Sequence, residues 1–295
     1  TYSGNQNPYG NVDWWPISLF CNCQKPPFND KRVRWAVAYA LNQQAIVDTA
    51  YGGANTVTGH PFPDYPPMMG YVNGISDLLT TYNVLEFNLT KVDALMTAAG
   101  FHKDSGGYWA DASDVRLNAD LYGAVPLFAP FASLIALQLR SAGFDCTHQS
   151  PPSVWSDMAD GTASLFLYGH GGGIIDPLDT FKLYRAANIA PIGQQSWNNI
   201  GRWSHPTFEA ARDAMAALPM GDAGVAAQFR TGMEIWLDEL PDCPIMQWMH
   251  HIPLNTRYWI NWPSQSNPYM SPALWFYSAH QVVINLKMNL PHNTF

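Results

Sequence analysis

The sequence predicts an α/β layer architecture, and three observations carry that reading. Apolar residues recur at helical spacing between Lys31 and Tyr51, where Val33, Val37, Ala40, Leu41 and Val47 share a face that Gly52-Gly53 closes. A second amphipathic segment, "FAPFASLIALQLRSAG" (128–143), runs straight into the strand pattern "FDCTHQS". From there strand and helix patterns keep alternating, the signature of a sheet with helices packed on it.

The elements follow in order. Residues 1–13 are rich in Gly, Asn and Pro and read as loop. "WWPISLFCNCQ" reads as a strand, and "KPPFND" as a turn in which Asn29 or Asp30 caps the helix from Lys31 to Tyr51. "TVTGHPFPDYPPMMGY" is proline-rich and reads as a long irregular loop. "LTKVDALMTAAG" is helical with Gly100 as its stop, "FHKDSGGYWAD" a hairpin, and "VRLNADLY" a strand. After the 128–143 helix and the 144–150 strand come a short helix, "VWSDMADG", and a strand, "ASLFLYG". Two further helices are expected at Thr207 to Leu218 and Val225 to Glu239. From Cys243 onward the chain is aromatic, proline-bearing and poorly periodic.

Composition narrows the function. Charged residues make up 13% of the 295, about half the usual share, while aromatic residues reach 14% and the net charge is −8. No run of Lys or Arg exists to grip a phosphate backbone, so nucleic acid is excluded as a partner. No apolar stretch approaches the roughly 18 to 20 residues needed to cross a bilayer. The first residues have neither the basic start nor the apolar run of a signal peptide, and the sequence reads as a soluble, processed or truncated chain. Cys21, Cys23, Cys146 and Cys243 are compatible with disulfides or with four buried thiols, and their spacing is not that of a zinc site.

One stretch raises a catalytic reading. In "LYGHGGGIIDPLDTF", His170 with Gly171, Gly172 and Gly173 matches the HGGG loop that supplies an esterase oxyanion hole. That chemistry needs a G-x-S-x-G nucleophile elbow, and "GISDL" at Gly74 comes nearest without the second glycine. His250-His251 cannot chelate one ion from adjacent strand positions that face opposite ways. Asp176 and Asp179 sit where a helix start would use them as caps. No catalytic residue, metal or cofactor is therefore assigned.

The tryptophans point to binding instead. Trp14-Trp15 precede the first strand, Trp155 follows a strand, Trp197 and Trp203 come after the glycine loop, and Trp248, Trp259, Trp262 and Trp275 crowd the last segment. Trp35 and Trp236 lie in helices and fit the core. Indoles in loops need something to pack against, and as a set these suit a ligand cleft.

Several ordered motifs resemble a known family. "KPPFNDKRVRWAVAYALNQQAIVDTAYGG" (Lys25 to Gly53) followed by "HPFP", then "NLTKVDALMTAAGF" from Asn88, "IALQLRSAGFD" from Ile135, "VWSDMADGTASLFLYGHGGGIIDPLDTF" from Val154 and "WSHPTFEAARDAMAA" from Trp203 are similar to the extracellular solute-binding proteins of ABC importers, family 5, the oligopeptide/dipeptide type. The resemblance covers about Ser18 to Trp262. It implies a periplasmic-binding-protein-like (type II, Venus-flytrap) lobe, a mixed sheet flanked by helices, and no catalytic group. Family members are longer, and the signature helix falls past their midpoint. The chain is thus expected to hold the second lobe at 1–245 and, at 246–295, a segment returning to a first lobe that is largely absent. The implied setting is periplasmic or cell-surface, with a membrane permease as partner.

The resemblance implies ligand contacts at Trp15, Ser18, Trp155, the Tyr168 to Gly173 loop and Trp262. The ring distribution adds Trp14, Trp197 and Trp259. Peptide binders of the family place an acid where this chain has Gly173, and some an arginine where it has Leu167. "YWINWPSQSNPY" (Tyr258 to Tyr269) is similar to the C-terminal segment of the family's oligosaccharide binders. A neutral, tryptophan-lined site suits a sugar, whose faces stack on rings and whose hydroxyls take amides. An oligosaccharide is the expected ligand, a peptide the alternative, and an esterase-like hydrolase the distant one.

Overall fold

The computed structural model describes residues 6–125, 127–264, 266–267, 269–270 and 275–289, the stretch 275–278 for its backbone only. Asn11–Val12 forms β1 and Ile17–Cys21 forms β2. Asp30 caps α1 (Lys31–Tyr39) by accepting the Arg32 N–H at 2.8 Å, and Asn42 caps α2 (Gln43–Tyr51) by accepting the Ala45 N–H at 2.9 Å. Next come α3 (Pro66–Asn73), α4 (Ser76–Thr81) and α5 (Leu89–Ala98), the last capped by Asn88. The hairpin β3 (His102–Lys103) and β4 (Trp109–Ala110) precedes β5 (Leu121–Tyr122), α6 (Ala129–Ser141), β6 (His148–Gln149), α7 (Val154–Ala159) and β7 (Leu165–Gly169). After α8 (Leu178–Phe181) and two 3-10 turns, Lys182–Tyr184 and Ala186–Asn188, the chain enters α9 (Pro206–Ala216) and α10 (Ala223–Glu239). β8 (Asp242–Met246), β9 (Met249–His250), β10 (Trp259–Ile260), α11 (Trp275–Asn285) and β11 (Lys287–Met288) complete the order.

The central sheet is mixed, in the order β6-β5-β7-β2-β8. β5 runs parallel to β6 and β7, while β2 runs antiparallel to both β7 and β8. Four strands therefore point one way and β2 alone is reversed. Ser18 sits opposite Tyr168 and Pro244, and Phe20 opposite Phe166 and Asp242, so these side chains share one face. Phe181, Tyr184, Trp203, Phe208, Phe229 and Trp236 cover that face through a chain of ring contacts. The opposite face carries Ile17, Leu19, Leu165, Leu167 and Cys243, all buried, beneath α1, α2 and α6. The carboxyl ends of β5, β6, β7 and β8 lie at the edge of the sheet where β2 begins. In open α/β sheets this is the edge where ligands bind.

Several expectations are corrected. The helix expected over Lys31–Tyr51 is two helices, because Asn42 takes the capping role and Gln138 holds its N–H at 2.8 Å. The irregular loop over 56–71 contains the start of α3, whose first two residues are Pro66 and Pro67. Proline at those positions lacks only an N–H that a helix leaves unpaired. The strands expected at 115–122 and 144–150 shrink to two residues each, with an isolated bridge at Asn118–Asp145 upstream. Residues 1–13 include β1, which pairs with β9.

The largest miss is β8. It is buried at every position, so it shows no alternation, and it contains Pro244, which argues against a strand unless the strand lies at an edge. It is an edge strand, and the boundary expected after residue 245 falls within it. The poorly periodic stretch from Cys243 onward also contains α11. Among the described residues no helix is long and apolar enough to cross a membrane.

All four cysteines are free. Burial pushes the thiols of Cys23 and Cys146 up to about 12 and those of Cys21 and Cys243 up as well, so almost no thiolate exists at pH 8. Ellman's reagent should accordingly react slowly with the native chain and count four thiols in denaturant; a rapidly titrating native thiol would contradict this burial. Gly143 closes α6 at φ +95, and a Cβ there would meet the Gly107 carbonyl oxygen at 2.9 Å. Gly143→Ala should lower stability by about 1–3 kcal/mol in urea unfolding.

Candidate functional site

The site is built where β2 starts and β7 ends. Ile17 pairs with Gly169, and just beyond them the His170 N–H donates to the Pro16 carbonyl at 3.0 Å. This zipping lays Trp14-Trp15 directly over the glycines. A Cβ on Gly169 would lie 2.3 Å from the Trp15 ring, and one on Gly171 would lie 3.1 Å from Trp14. The two glycines are therefore seats for two indoles.

Trp15 is the hub of a ring cluster. Its centroid stands 5.2 Å from Tyr168 in an edge-on contact, 5.9 Å from Trp248 and 6.4 Å from Phe128. Trp155, at the start of α7, joins through Tyr168 at 6.2 Å and Phe128 at 6.4 Å. Phe128 is fully buried and anchors the group, whereas Trp155 remains 37% exposed. Edge-on contacts of Tyr168 with Trp15 and Trp155, and stacked or tilted ones with Phe128 and Trp248, order the rings against one another.

Beside the cluster opens a cleft of about 710 Å³, the solvent at its mouth included. Trp14, Trp15 and Tyr168, from the paired ends of β2 and β7, line it together with Trp197, Asn198 and Trp203 from the stretch between Tyr184 and Pro206. Phe20, His170, Tyr184 and Asp242 also line it. Asp242 is completely buried; it accepts from His170 Nε2 at 3.0 Å and from the Tyr184 hydroxyl at 2.8 Å, one partner for each oxygen. Burial, then the Asp242 charge, pushes the Tyr184 phenol far above its ordinary value, so it stays a donor. Each oxygen of this buried carboxylate is thus already engaged inside the protein. Among the described residues no lysine or arginine lines the cleft.

Six expected residues line this cleft together: Trp14, Trp15, Tyr168, His170, Gly171 and Trp197. The His170 ring is 1% exposed and turned toward Asp242, with Nδ1 left without a partner. Ser18 lies beneath on the same face, fully buried, its Oγ likewise unpartnered. Trp155 belongs to the adjoining cluster. Gly172 and Gly173 pack against their own chain, since a Cβ would come within 2.1 Å of Thr180 Oγ1 in the first case and of the Asp176 carbonyl oxygen in the second. No side chain, acidic or other, fits at 173 without moving that carbonyl. Asp176 caps α8 through the Leu178 N–H at 2.8 Å, and Asp179 pairs with Lys182.

Trp259 and Trp262 stand elsewhere. Trp262 lines a separate groove with Tyr9, His251 and Ile252, and its Nε1 donates to the Trp259 carbonyl at 3.0 Å. Trp259 is 45% exposed on β10. His250 pairs with Asp13 rather than with His251. Sequence reasoning left Phe128, Trp248, Tyr184 and Asp242 out of the site. Trp248 is visible as one more loop indole, but Asp242 and Tyr184 give no local signal. The HGGG stretch spends the Gly172 N–H on the His170 carbonyl at 2.9 Å, and among the described residues no serine hydroxyl bonds a histidine.

Comparison with known proteins bears on the family and the fold. The family described as bacterial extracellular solute-binding proteins, family 5 middle, matches residues 4–191. The dipeptide-binding protein of Escherichia coli K12 is 25% identical over 196 residues, 65% of this chain and 32% of its own length. Heme-binding protein A of Haemophilus influenzae is 24% identical over 243 residues, 80% of this chain and 40% of its own. A periplasmic oligopeptide-binding protein of an ABC transporter from Thermotoga maritima superposes with a TM-score of 0.83 at 21% identity, over 98% of this chain and 55% of that one. The same protein with mannohexaose bound gives 0.80 at equal coverage. The chain thus spans between a third and just over half of the length of these relatives. Its mixed sheet flanked by helices is the fold of the periplasmic binding proteins, and the chain belongs to the family 5 bacterial extracellular solute-binding proteins.

Proposed function

We propose that the chain supplies the second lobe (1–245) and returning segment (246–295) of a periplasmic or cell-surface solute-binding protein, and that it binds an oligosaccharide for delivery to an ABC permease. The observation that carries the ligand choice is the cleft itself, walled by tryptophans and with its one carboxylate already satisfied by His170 and Tyr184. A free peptide brings a terminal ammonium and carboxylate, and each needs a charged or multiply hydrogen-bonding partner when desolvated. A sugar needs flat apolar faces and a few amides, which Trp14, Trp15, Trp197 and Asn198 offer. The mannohexaose-bound Thermotoga neighbour, similar over 98% of this chain, supports the same choice. The exposed Tyr258, Trp259 and Ile260 suit burial against a first lobe.

Peptide binding is the competing reading, favoured by relatives named for dipeptides and di/tripeptides. Tryptophan fluorescence of a two-lobed protein containing this chain, titrated with mannohexaose, cellohexaose, xylohexaose and short peptides, separates the two. Saturable quenching by a hexaose is expected; a response confined to peptides would overturn the ligand choice. Trp14→Ala and Trp15→Ala, both in the lining of the cleft, should each weaken sugar binding by about 1–3 kcal/mol, the scale of losing a stacking anchor. Gly169→Ala should weaken it too, because the new methyl displaces the Trp15 ring without touching a ligand. Undiminished affinity in all three would mean the ligand binds elsewhere.

A further inference from the structure

The outer wall of the cleft has little regular structure. Between Tyr184 and Pro206 the chain makes one 3-10 turn, at Ala186–Asn188, and the rest is bends and turns that carry Trp197, Asn198 and Trp203. A long irregular stretch packed on a fold must find partners for its carbonyls one at a time. Arg202 supplies them. Its side chain is 1% exposed and its backbone takes a left-handed φ of 54°.

The guanidinium donates to four carbonyl oxygens: Nε to Ala190 at 3.1 Å, Nη1 to Ile200 at 3.0 Å, and Nη2 to Ala159 at 2.8 Å and Gln194 at 3.1 Å. Three of these belong to the wall and the fourth ends α7, so one planar fork ties the wall to the body. Gly161 makes room, since a Cβ there would come within 2.5 Å of the guanidinium carbon. Two backbone bonds follow the same seam: Gly193 N–H to Asp160 O, and Ser196 N–H to Ala159 O, both at 2.8 Å. The residue after Ser196 is Trp197, whose side chain is left 48% exposed. The backbone is pinned and the indole is bare, the arrangement of a preorganised contact.

We propose that Arg202 is a positioning residue for ligand binding: it fixes the 186–203 wall so that Trp197 faces Trp14 and Trp15 across the cleft. The inference rests on the cleft being the ligand site. Lysine cannot replace it, because a single ammonium has no planar fork with which to bridge four carbonyls.

Hydrogen exchange read by mass spectrometry, together with mannohexaose titration, tests it on Arg202→Met, Arg202→Lys, Trp197→Ala and the double variant Arg202→Met/Trp197→Ala. Arg202→Met should speed exchange across 186–203 while leaving β2 and β7 protected, and weaken mannohexaose binding about tenfold. Arg202→Lys should fall between it and the parent. The double variant should bind no more weakly than Trp197→Ala, since Arg202 acts through that ring. Unchanged exchange in the wall, loss of protection throughout the sheet in both single Arg202 variants, or affinity losses that multiply would each overturn the proposal. If the parent shows no saturable mannohexaose binding, the functional reading fails, and the exchange data alone still decide whether Arg202 holds the wall.

Discussion

The antiparallel pairing of β2 against β7 is the constraint on which the site depends. It is the one reversal in an otherwise co-directional sheet, and it brings the start of one strand to the end of another. Because Ile17 meets Gly169, the tryptophans that lead into β2 must lie on the glycines that leave β7. A slip of β2 by one residue against its two neighbours would turn Phe20 away from the face that Tyr168 and Asp242 share, and would lift Trp15 off Gly169. Register, ring packing and the absence of a Cβ at 169 are thus one condition seen three ways.

A second theme is how a chain with few charges uses them inside. Of its 15 lysines and arginines, Arg34, Arg202 and Arg212 are buried among the described residues, the first two almost wholly. Arg34 donates to the carbonyls of Phe28, Glu239 and Leu240 and pairs with the Glu239 carboxylate, joining α1 to the end of α10. Arg202 does similar work for the cleft wall without any carboxylate within ion-pair distance among the described residues. In both, the planar guanidinium satisfies backbone that no helix or strand could. Asp242 is the anionic counterpart, held by a histidine and a phenol. The interior spends its charges on the protein itself, so the carboxylate that lines the cleft already has a partner on each oxygen.

The packing around the cleft also changes the meaning of the glycine run. From the letters alone, Gly173 reads as a missing acid, a loss that discriminates against peptides. In the fold the position admits no side chain, because the Asp176 carbonyl oxygen fills the space as the chain turns into α8. The bend, rather than the ligand, requires glycine at 172 and 173. At 169 and 171 it is small size that matters, because it admits the two indoles that line the cleft.

Local signals were legible in the sequence. The cap at Asp30, one of the two offered, and the left-handed stops at Gly100 and Gly143 depend on contacts within a few residues, and they stand where the pattern put them. The tryptophans could be counted and their loop positions read, and the ordered motifs pointed to the family. Decisions made over long range were not legible. β8 carries no period because both of its faces are buried. His170 meets Asp242 across 72 residues, so nothing near either one foretells that its ring turns inward. Trp262 and Trp15 look alike as loop indoles, yet one lines a separate groove and the other is the hub of the cluster. Sequence determines which residues can cap, turn or stack, because those preferences are carried by each residue and its neighbours. Only the folded chain decides which rings meet and which charges cancel, because strand register and packing set those distances.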